Sequence, residues 1–119
     1  MIRLPRRRWL GLLGLAALPS PARAHAILVE SDPPHEAEVP AGERVLTFRF
    51  NSRIDRARSR LTLIGADRAQ TVLALLPGPD DMLSARAVLA RGRATVRWQV
   101  LALDGHITRG DVPFTVAGG

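Results

Sequence analysis

The stretch RATVRWQV at residues 93–100 alternates apolar and polar side chains, with Ala94, Val96, Trp98 and Val100 on one face. A repeat of two residues is the period of a β-strand that buries one face and leaves the other in water. Residues 44–50, RVLTFRF, alternate in the same way. Both stretches therefore predict strands that contribute one face to a hydrophobic core.

Further short segments of the chain have the composition of strands and are separated by clusters of Pro, Gly and Asp. No segment has a convincing helical pattern, and there is no internal repeat or second domain. Seven short strands in one domain predict an all-β fold, a single Greek-key β-sandwich of the immunoglobulin-like kind. The additional strands are expected at residues 26–29, 60–64, 71–75, 82–89 and 112–116.

The first 24 residues have the features of a cleaved secretory signal. Arginines are followed by the apolar stretch 9–18 and by small residues at Ala22 and Ala24. The apolar stretch is much shorter than the roughly 20 residues that cross a bilayer. We therefore expect a signal peptide at residues 1–24, cleavage after Ala24, and a periplasmic mature domain at residues 25–119 that does not span the membrane. The basic start fits either the Sec or the twin-arginine route, and an uncleaved anchor is the alternative.

Removal of the signal changes the charge of the protein. All 17 basic residues are arginines, five precede residue 25, and all 11 acidic residues follow it, so the mature chain has a formal charge of +1. A nucleic-acid partner loses its electrostatic support, and we expect none. The chain has no cysteine, which excludes disulfides, thiolate metal sites and cysteine catalysis. A nearly neutral domain of this size is expected to be a monomer.

Cleavage after Ala24 would make His25 the first residue of the mature chain. An N-terminal histidine offers two nitrogen ligands, its α-amino group and its imidazole, which together form a chelate. The α-amine has an ordinary pKa of about 7.7–8.0, low enough for a metal to displace its proton near neutrality. Of the divalent first-row ions, Cu(II) binds nitrogen ligands most strongly. His25 is thus a candidate copper ligand, although any residue can follow a cleavage site.

Asp104-Gly105-His106 directly follows the strand predicted at residues 93–100. Residues two apart in an extended segment project to the same side, and Gly105 leaves room for both side chains to turn toward one ion. Asp-Gly is also a common hairpin turn, in which the histidine is a solvated bystander. Taken together, His25, Asp104 and His106 supply the nitrogen and oxygen donors that tetragonal Cu(II) prefers.

At this point the sequence resembles the CopC-like periplasmic copper-binding proteins, also called the copper resistance or YobA family. The resemblance extends over essentially the whole mature chain. It lies in residues 25–31 (HAILVES), 32–34 (DPP), 46–50 (LTFRF), 96–101 (VRWQVL), 104–106 (DGH), Gly110 and 113–116 (PFTV).

The resemblance implies a Greek-key β-sandwich that holds one Cu(II) ion per mature chain on His25, Asp104 and His106. It implies a role in copper homeostasis or resistance as a carrier or buffer, without enzymatic activity. A CopD-like protein of the inner membrane is the partner that the family suggests. The direction of copper traffic is left open by the residues.

Two departures from the family pattern bear on the site. Many relatives have a glutamate near the copper after the strand that corresponds to residues 46–50, where this chain reads Asn51-Ser52-Arg53. Some relatives also have a methionine- and histidine-rich loop for Cu(I), whereas the mature chain contains only Met82. We expect a site for Cu(II) alone, with Met82 as a packing residue.

Other residues are expected to have structural or solvent-exposed positions without a ligand. His35 is expected in an exposed loop, and Trp98 in the core between the sheets. The arginines at positions 53, 56, 58 and 60 are expected in a solvated loop rather than at a membrane.

An alternative function is a copper-dependent oxidative enzyme, because lytic polysaccharide monooxygenases also chelate copper with an N-terminal histidine. A sandwich domain without metal is the third possibility. A site filled by His25, Asp104 and His106 favours static binding of Cu(II) over chemistry on oxygen.

Overall fold

Two β-sheets packed face to face form the part of the protein that the computed structural model describes, residues 26–118. The signal peptide expected at residues 1–24 and the candidate ligand His25 lie outside these residues. Within residues 26–118, no helix is long and apolar enough to cross a membrane. The strands are β1 (Leu28–Asp32), β2 (Glu38–Pro40), β3 (Gly42–Phe50), β4 (Arg60–Ile64), β5 (Gln70–Val72), β6 (Met82–Leu89), β7 (Gly92–Leu101) and β8 (Ile107–Ala117).

One sheet has three strands in the order β1-β3-β6, and the other has five in the order β2-β8-β7-β4-β5. Neighbouring strands are antiparallel, except that β2 runs parallel to β8. The longest ladder joins β7 to β8 along the whole length of β7, from Gly92 paired with Val116 to Leu101 paired with Ile107. The predicted all-β sandwich is confirmed.

The core lies between the two sheets and contains the apolar faces that the alternation predicts. Val96 and Val100 on β7 are fully buried, and Trp98 is 9% exposed. The rings of Trp98 and Phe50 meet edge to face with their centroids 5.2 Å apart, a favourable arrangement for two aromatic rings. Trp98 is therefore a core residue, as predicted.

The structure contains a strand that the sequence did not predict and shortens another. β2 has three residues, of which only Val39 is buried, so its sequence carries too little alternation to recognise. The strand expected at residues 71–75 ends at Val72, and Leu75 instead bridges to Ala85 of β6. The chain thus passes from the five-stranded sheet to the three-stranded sheet between these two positions.

Two predicted strands have different bounds. β8 begins at Ile107, five residues before the expected start at Val112, because its ladder with β7 continues to the turn. β1 begins at Leu28, two residues after the expected start, and continues through Asp32, three residues past the expected end at residue 29, since Ser31 and Asp32 still pair with β3.

The arginines after β3 are not all in a solvated loop, and that expectation is wrong for two of them. One turn of 3-10 helix spans Arg56–Arg58, and Arg60 already belongs to β4. Arg56 is partly buried and donates hydrogen bonds to the backbone carbonyls of Leu76 and Met82. Its guanidinium thereby fastens the segment between β5 and β6 to the rest of the domain.

Candidate metal centre

The turn between β7 and β8 contains Asp104-Gly105-His106 and is a closed hairpin. The N–H of Ala102 donates to the carbonyl of His106 at 2.8 Å, and the N–H of Gly105 donates to the carbonyl of Ala102 at 2.9 Å. Gly105 has a φ of +92°, a conformation that glycine adopts without the strain of a side chain. Asp-Gly therefore forms a hairpin turn, and the turn determines where the two flanking side chains lie.

The hairpin holds the carboxylate of Asp104 against the ring of His106. Oδ1 of Asp104 accepts a hydrogen bond from the backbone N–H of His106 at 3.0 Å, which orients the carboxylate. Its other oxygen, Oδ2, lies 3.1 Å from Nδ1 of His106. The side chains are 32% and 58% exposed respectively, so both can be reached from solvent.

The spacing of this pair is compatible with a shared metal ion as well as with a direct hydrogen bond between the two side chains. Two donors about 2.0 Å from an ion and at right angles to each other lie about 2.8 Å apart. The Oδ2 to Nδ1 distance of 3.1 Å in Asp104 and His106 is close to that value. One carboxylate oxygen and one imidazole nitrogen fit a borderline divalent ion such as Cu(II), but two ligands do not complete a site.

The beginning of the described chain is fastened beside this hairpin by three hydrogen bonds. Oγ1 of Thr108 donates to the carbonyl of Ala26 at 2.7 Å. The N–H of Ile27 donates to Oδ1 of Asn51 at 2.8 Å, and the N–H of Asn51 donates to the carbonyl of Ile27 at 2.9 Å. We call these three bonds the Ala26–Ile27 anchor. Thr108 lies two residues after His106, so the anchor and the Asp104–His106 pair are parts of one surface.

The predicted ligands Asp104 and His106 are thus together, whereas His25 lies outside the described residues. Among residues 26–118, no group of three His, Cys, Asp or Glu side chains is arranged to hold a metal ion. A complete site needs donors beyond this hairpin, and the predicted source, His25, precedes the buried residue Ala26. The three-ligand set remains a prediction.

His35 is exposed, as predicted, and is remote from the hairpin. Its neighbour Glu36 donates its backbone N–H to the carbonyl of Pro113. Pro113 lies six residues along β8 from Ile107, which corresponds to about 20 Å at the rise of a strand. His35 is therefore not a further ligand of this pair.

Asn51 and Thr108 are functional candidates that the sequence reasoning missed. Asn51 was noted only because relatives have a glutamate nearby, and nothing in the sequence around Thr108 distinguishes it from other strand residues. Both depend on contacts between segments far apart in the chain, 24 residues for Asn51 and 82 for Thr108. Only the folded arrangement brings these segments together.

The chain matches a family model described as "CopC domain" over residues 28–117. It is similar to the crystal structure of CopC from Methylosinus trichosporium OB3b, with 25% identity and a TM-score of 0.69, covering 79% of this chain and 95% of that one. It is also similar to PcoC, a methionine-rich copper resistance protein from Escherichia coli, with 26% identity and a TM-score of 0.62, covering 78% and 99% of the two chains. No curated protein sequence matches the chain.

Proposed function

The chain belongs to the CopC domain family, and from that premise we propose that it is a periplasmic copper-binding protein that carries or buffers Cu(II). One ion is held by the α-amine and imidazole of His25, the carboxylate of Asp104 and the imidazole of His106. The observation that carries this proposal is the Asp104–His106 pair, with 3.1 Å between Oδ2 and Nδ1, on a hairpin beside the start of the domain.

The Ala26–Ile27 anchor supports the contribution of His25. One peptide bond links His25 to Ala26, so their Cα atoms are about 3.8 Å apart in a trans-linked chain. The carbonyl of Ala26 is bonded to Thr108, two residues from His106. The position of Ala26 beside the hairpin thus supports the proposal that residue 25 contributes ligands.

The four donors would be three nitrogens and one carboxylate oxygen. This set favours Cu(II), which takes a tetragonal arrangement of nitrogen and oxygen ligands. Cu(I) is held by soft thioether or thiolate sulfur, and the chain has no cysteine and, beyond the signal, only Met82. PcoC is described as methionine rich, and this chain departs from that relative in the feature that Cu(I) needs. We propose a site for Cu(II) alone.

Under this proposal, removal of the signal peptide would control copper binding. In the precursor the nitrogen of His25 is part of a peptide bond and cannot serve as an amine ligand. Binding would begin when the signal is removed outside the cytoplasm, so the cytoplasmic precursor would not withdraw copper there. Handover to a CopD-like membrane protein is the exchange that we propose for the loaded form, and the working unit is a monomer.

Electron paramagnetic resonance of the mature protein, residues 25–119, tests the ligand set. We expect one Cu(II) signal with hyperfine structure from nitrogen ligands in the protein as processed. Replacing His106 with Ala should remove one nitrogen, and replacing Asp104 with Ala should change the signal without loss of nitrogen. His35→Ala is the matched control, because His35 lies far from the hairpin. A spectrum that responds to His35→Ala and not to His106→Ala would contradict the proposed site.

A further inference from the structure

A groove of about 820 Å³ lies on the outer face of the five-stranded sheet, away from the core. Residues of four strands line it, β4, β5, β7 and β8. Three of the lining residues are arginines, Arg60, Arg97 and Arg109, and one, Asp111, is acidic. We call this feature the arginine groove. It lies outside the candidate metal centre, and the proposed function makes no use of it.

The strand register sets the spacing of the arginines. Gln99 on β7 is paired with Arg60 on β4 and with Arg109 on β8. Adjacent strands are about 4.8 Å apart, so the backbones of Arg60 and Arg109 are about 10 Å apart, with Gln99 between them. The groove therefore presents a row with one cation on each side of an amide.

Two of the positive charges in the groove are not neutralised. Arg97 and Asp111 pair with each other through two hydrogen bonds of 2.8 and 3.1 Å, and Arg97 lowers the pKa of Asp111 by this bonding. Within the described part of the chain, Arg60 and Arg109 have no carboxylate within salt-bridge distance. An anionic ligand would thus gain two ionic contacts without displacing an existing one.

The shape of the groove favours an extended polypeptide. Its floor is recessed at Thr62, which is only 9% exposed between its strand partners Arg97 and Val72. A flat lipid surface would reach the rim but not this floor. An extended chain rises about 3.3 Å per residue, so carboxylates two or three positions apart span about 7–10 Å, the interval between Arg60 and Arg109. Val72, which also lines the groove, is 64% exposed and offers an apolar contact.

We propose that the arginine groove binds an extended acidic segment of a partner polypeptide. Arg109 is three residues after His106, which places a bound segment about 10 Å along the strand from the candidate metal centre. Ile107, which lies between the two and is 55% exposed, extends the contact surface toward that centre. If the bound segment belongs to a protein that exchanges copper with this one, that role rests on the proposed function. Binding of the acidic segment itself does not.

Fluorescence anisotropy with a labelled eight-residue peptide tests the proposal in copper-free mature protein. The peptide carries two glutamates two positions apart, and a control peptide has glutamines in their place. Binding should occur at low ionic strength and weaken as salt is added. Loss of both contacts in Arg60→Gln/Arg109→Gln should weaken binding by about tenfold. The matched control is Arg68→Gln/Arg91→Gln, which removes the same charge from exposed residues of other loops.

Equal affinity of the groove variant and the control variant would overturn the proposal. So would equal binding of the glutamine peptide. A third arm uses vesicles of phosphatidylcholine with and without phosphatidylglycerol. Binding of the wild-type protein to anionic vesicles that is lost in the groove variant, without binding of the peptide, would assign the groove to lipid and overturn the proposal. Because copper is absent throughout, failure of these tests leaves the proposed Cu(II) site unaffected.

Discussion

Asn51 fastens the polypeptide beside the candidate metal centre through both its side chain and its backbone. Its Oδ1 and its N–H each bond to Ile27, two residues from the proposed ligand His25. Asn51 opens the segment Asn51-Ser52-Arg53, where the family resemblance led us to expect a glutamate. We interpret Asn51 as a positioning residue that holds the chain rather than the metal.

Removing the two side-chain bonds of the Ala26–Ile27 anchor should weaken copper binding while the ligands remain. Outer-shell partners of metal ligands typically contribute about 10–100-fold to affinity. Because Asn51 and Thr108 act through the backbone, we expect the lower end, about tenfold, for Asn51→Ala combined with Thr108→Val. Competitive titration of Cu(II) with a chromophoric chelator measures the change, and Ser52→Ala is the matched control. Unchanged affinity in the double variant would show that the anchor does not position the site.

Gly110 allows the ring of Trp98 to pack against β8. A Cβ atom at position 110 would lie 2.6 Å from Cζ2 of Trp98, closer than carbon atoms can approach. The neighbour is a rigid ring that is itself packed against Phe50, so it has little room to move. Close packing at this position therefore requires the absence of a side chain.

Gly110→Ala should lower the free energy of unfolding by about 1–3 kcal/mol, the usual cost of an overpacked core. Urea denaturation followed by tryptophan fluorescence measures it. Gly78→Ala is the control, because the nearest atom to a Cβ there is the end of the Arg56 side chain, at 4.0 Å. If both variants lose the same stability, contact with Trp98 is not the reason that position 110 is glycine.

At the scale of elements, the long strands were predictable and the short connections were not. β7 and β3 alternate over nine or ten residues, and their bounds differ from the predicted ones by one or two residues. β2 has one buried side chain and forms because Val39 and its neighbours pair with β8. The passage of residues 73–75 between the sheets also depends on distant partners, including the bridge from Leu75 to Ala85. Local sequence contains no record of such partners.

The 3-10 turn also depends on contacts with residues that are distant in the sequence. Arg56 bonds to the carbonyls of Leu76 and Met82, whereas Arg58 on the same turn is 76% exposed and reaches Asp55 at only 3.9 Å. Arg56→Gln should lower the free energy of unfolding by about 1–3 kcal/mol, because two partly buried carbonyls lose a charged donor. Arg58→Gln should change it by less than about 0.5 kcal/mol. Thermal denaturation of both variants measures the difference, and equal losses would mean that Arg56 is not the fastening residue.

At the scale of the whole molecule, the sandwich brings distant parts of the sequence to one end of the domain. The hairpin after β7, the start of β8, the end of β3 and the first described residues, Ala26 and Ile27, meet there. Asp104 and His106 could be predicted as neighbours because one local turn holds them. Their relation to the start of the chain could be inferred only from the family resemblance, since it depends on the Ala26–Ile27 anchor across the fold.

The family sets the fold around this end, and the residues of this chain determine what it can bind. Residues 25–119 contain one thioether, Met82, and no thiol. The nitrogen-rich site that we propose depends on a free amine at His25. The copper binding that we propose therefore depends on processing as much as on the ligands. A precursor, or any form with a residue before His25, should lack the amine and lose the chelate.

The most direct test compares the Cu(II) affinity of the mature protein beginning at His25 with that of the same protein retaining Ala24. Both forms keep every side chain of the described domain and differ by one peptide bond at the candidate ligand. Loss of the amine removes one ligand of a chelate, so we predict that the extended form binds at least about 100-fold more weakly. Equal affinity of the two forms would contradict the proposal that the amine of His25 is a Cu(II) ligand.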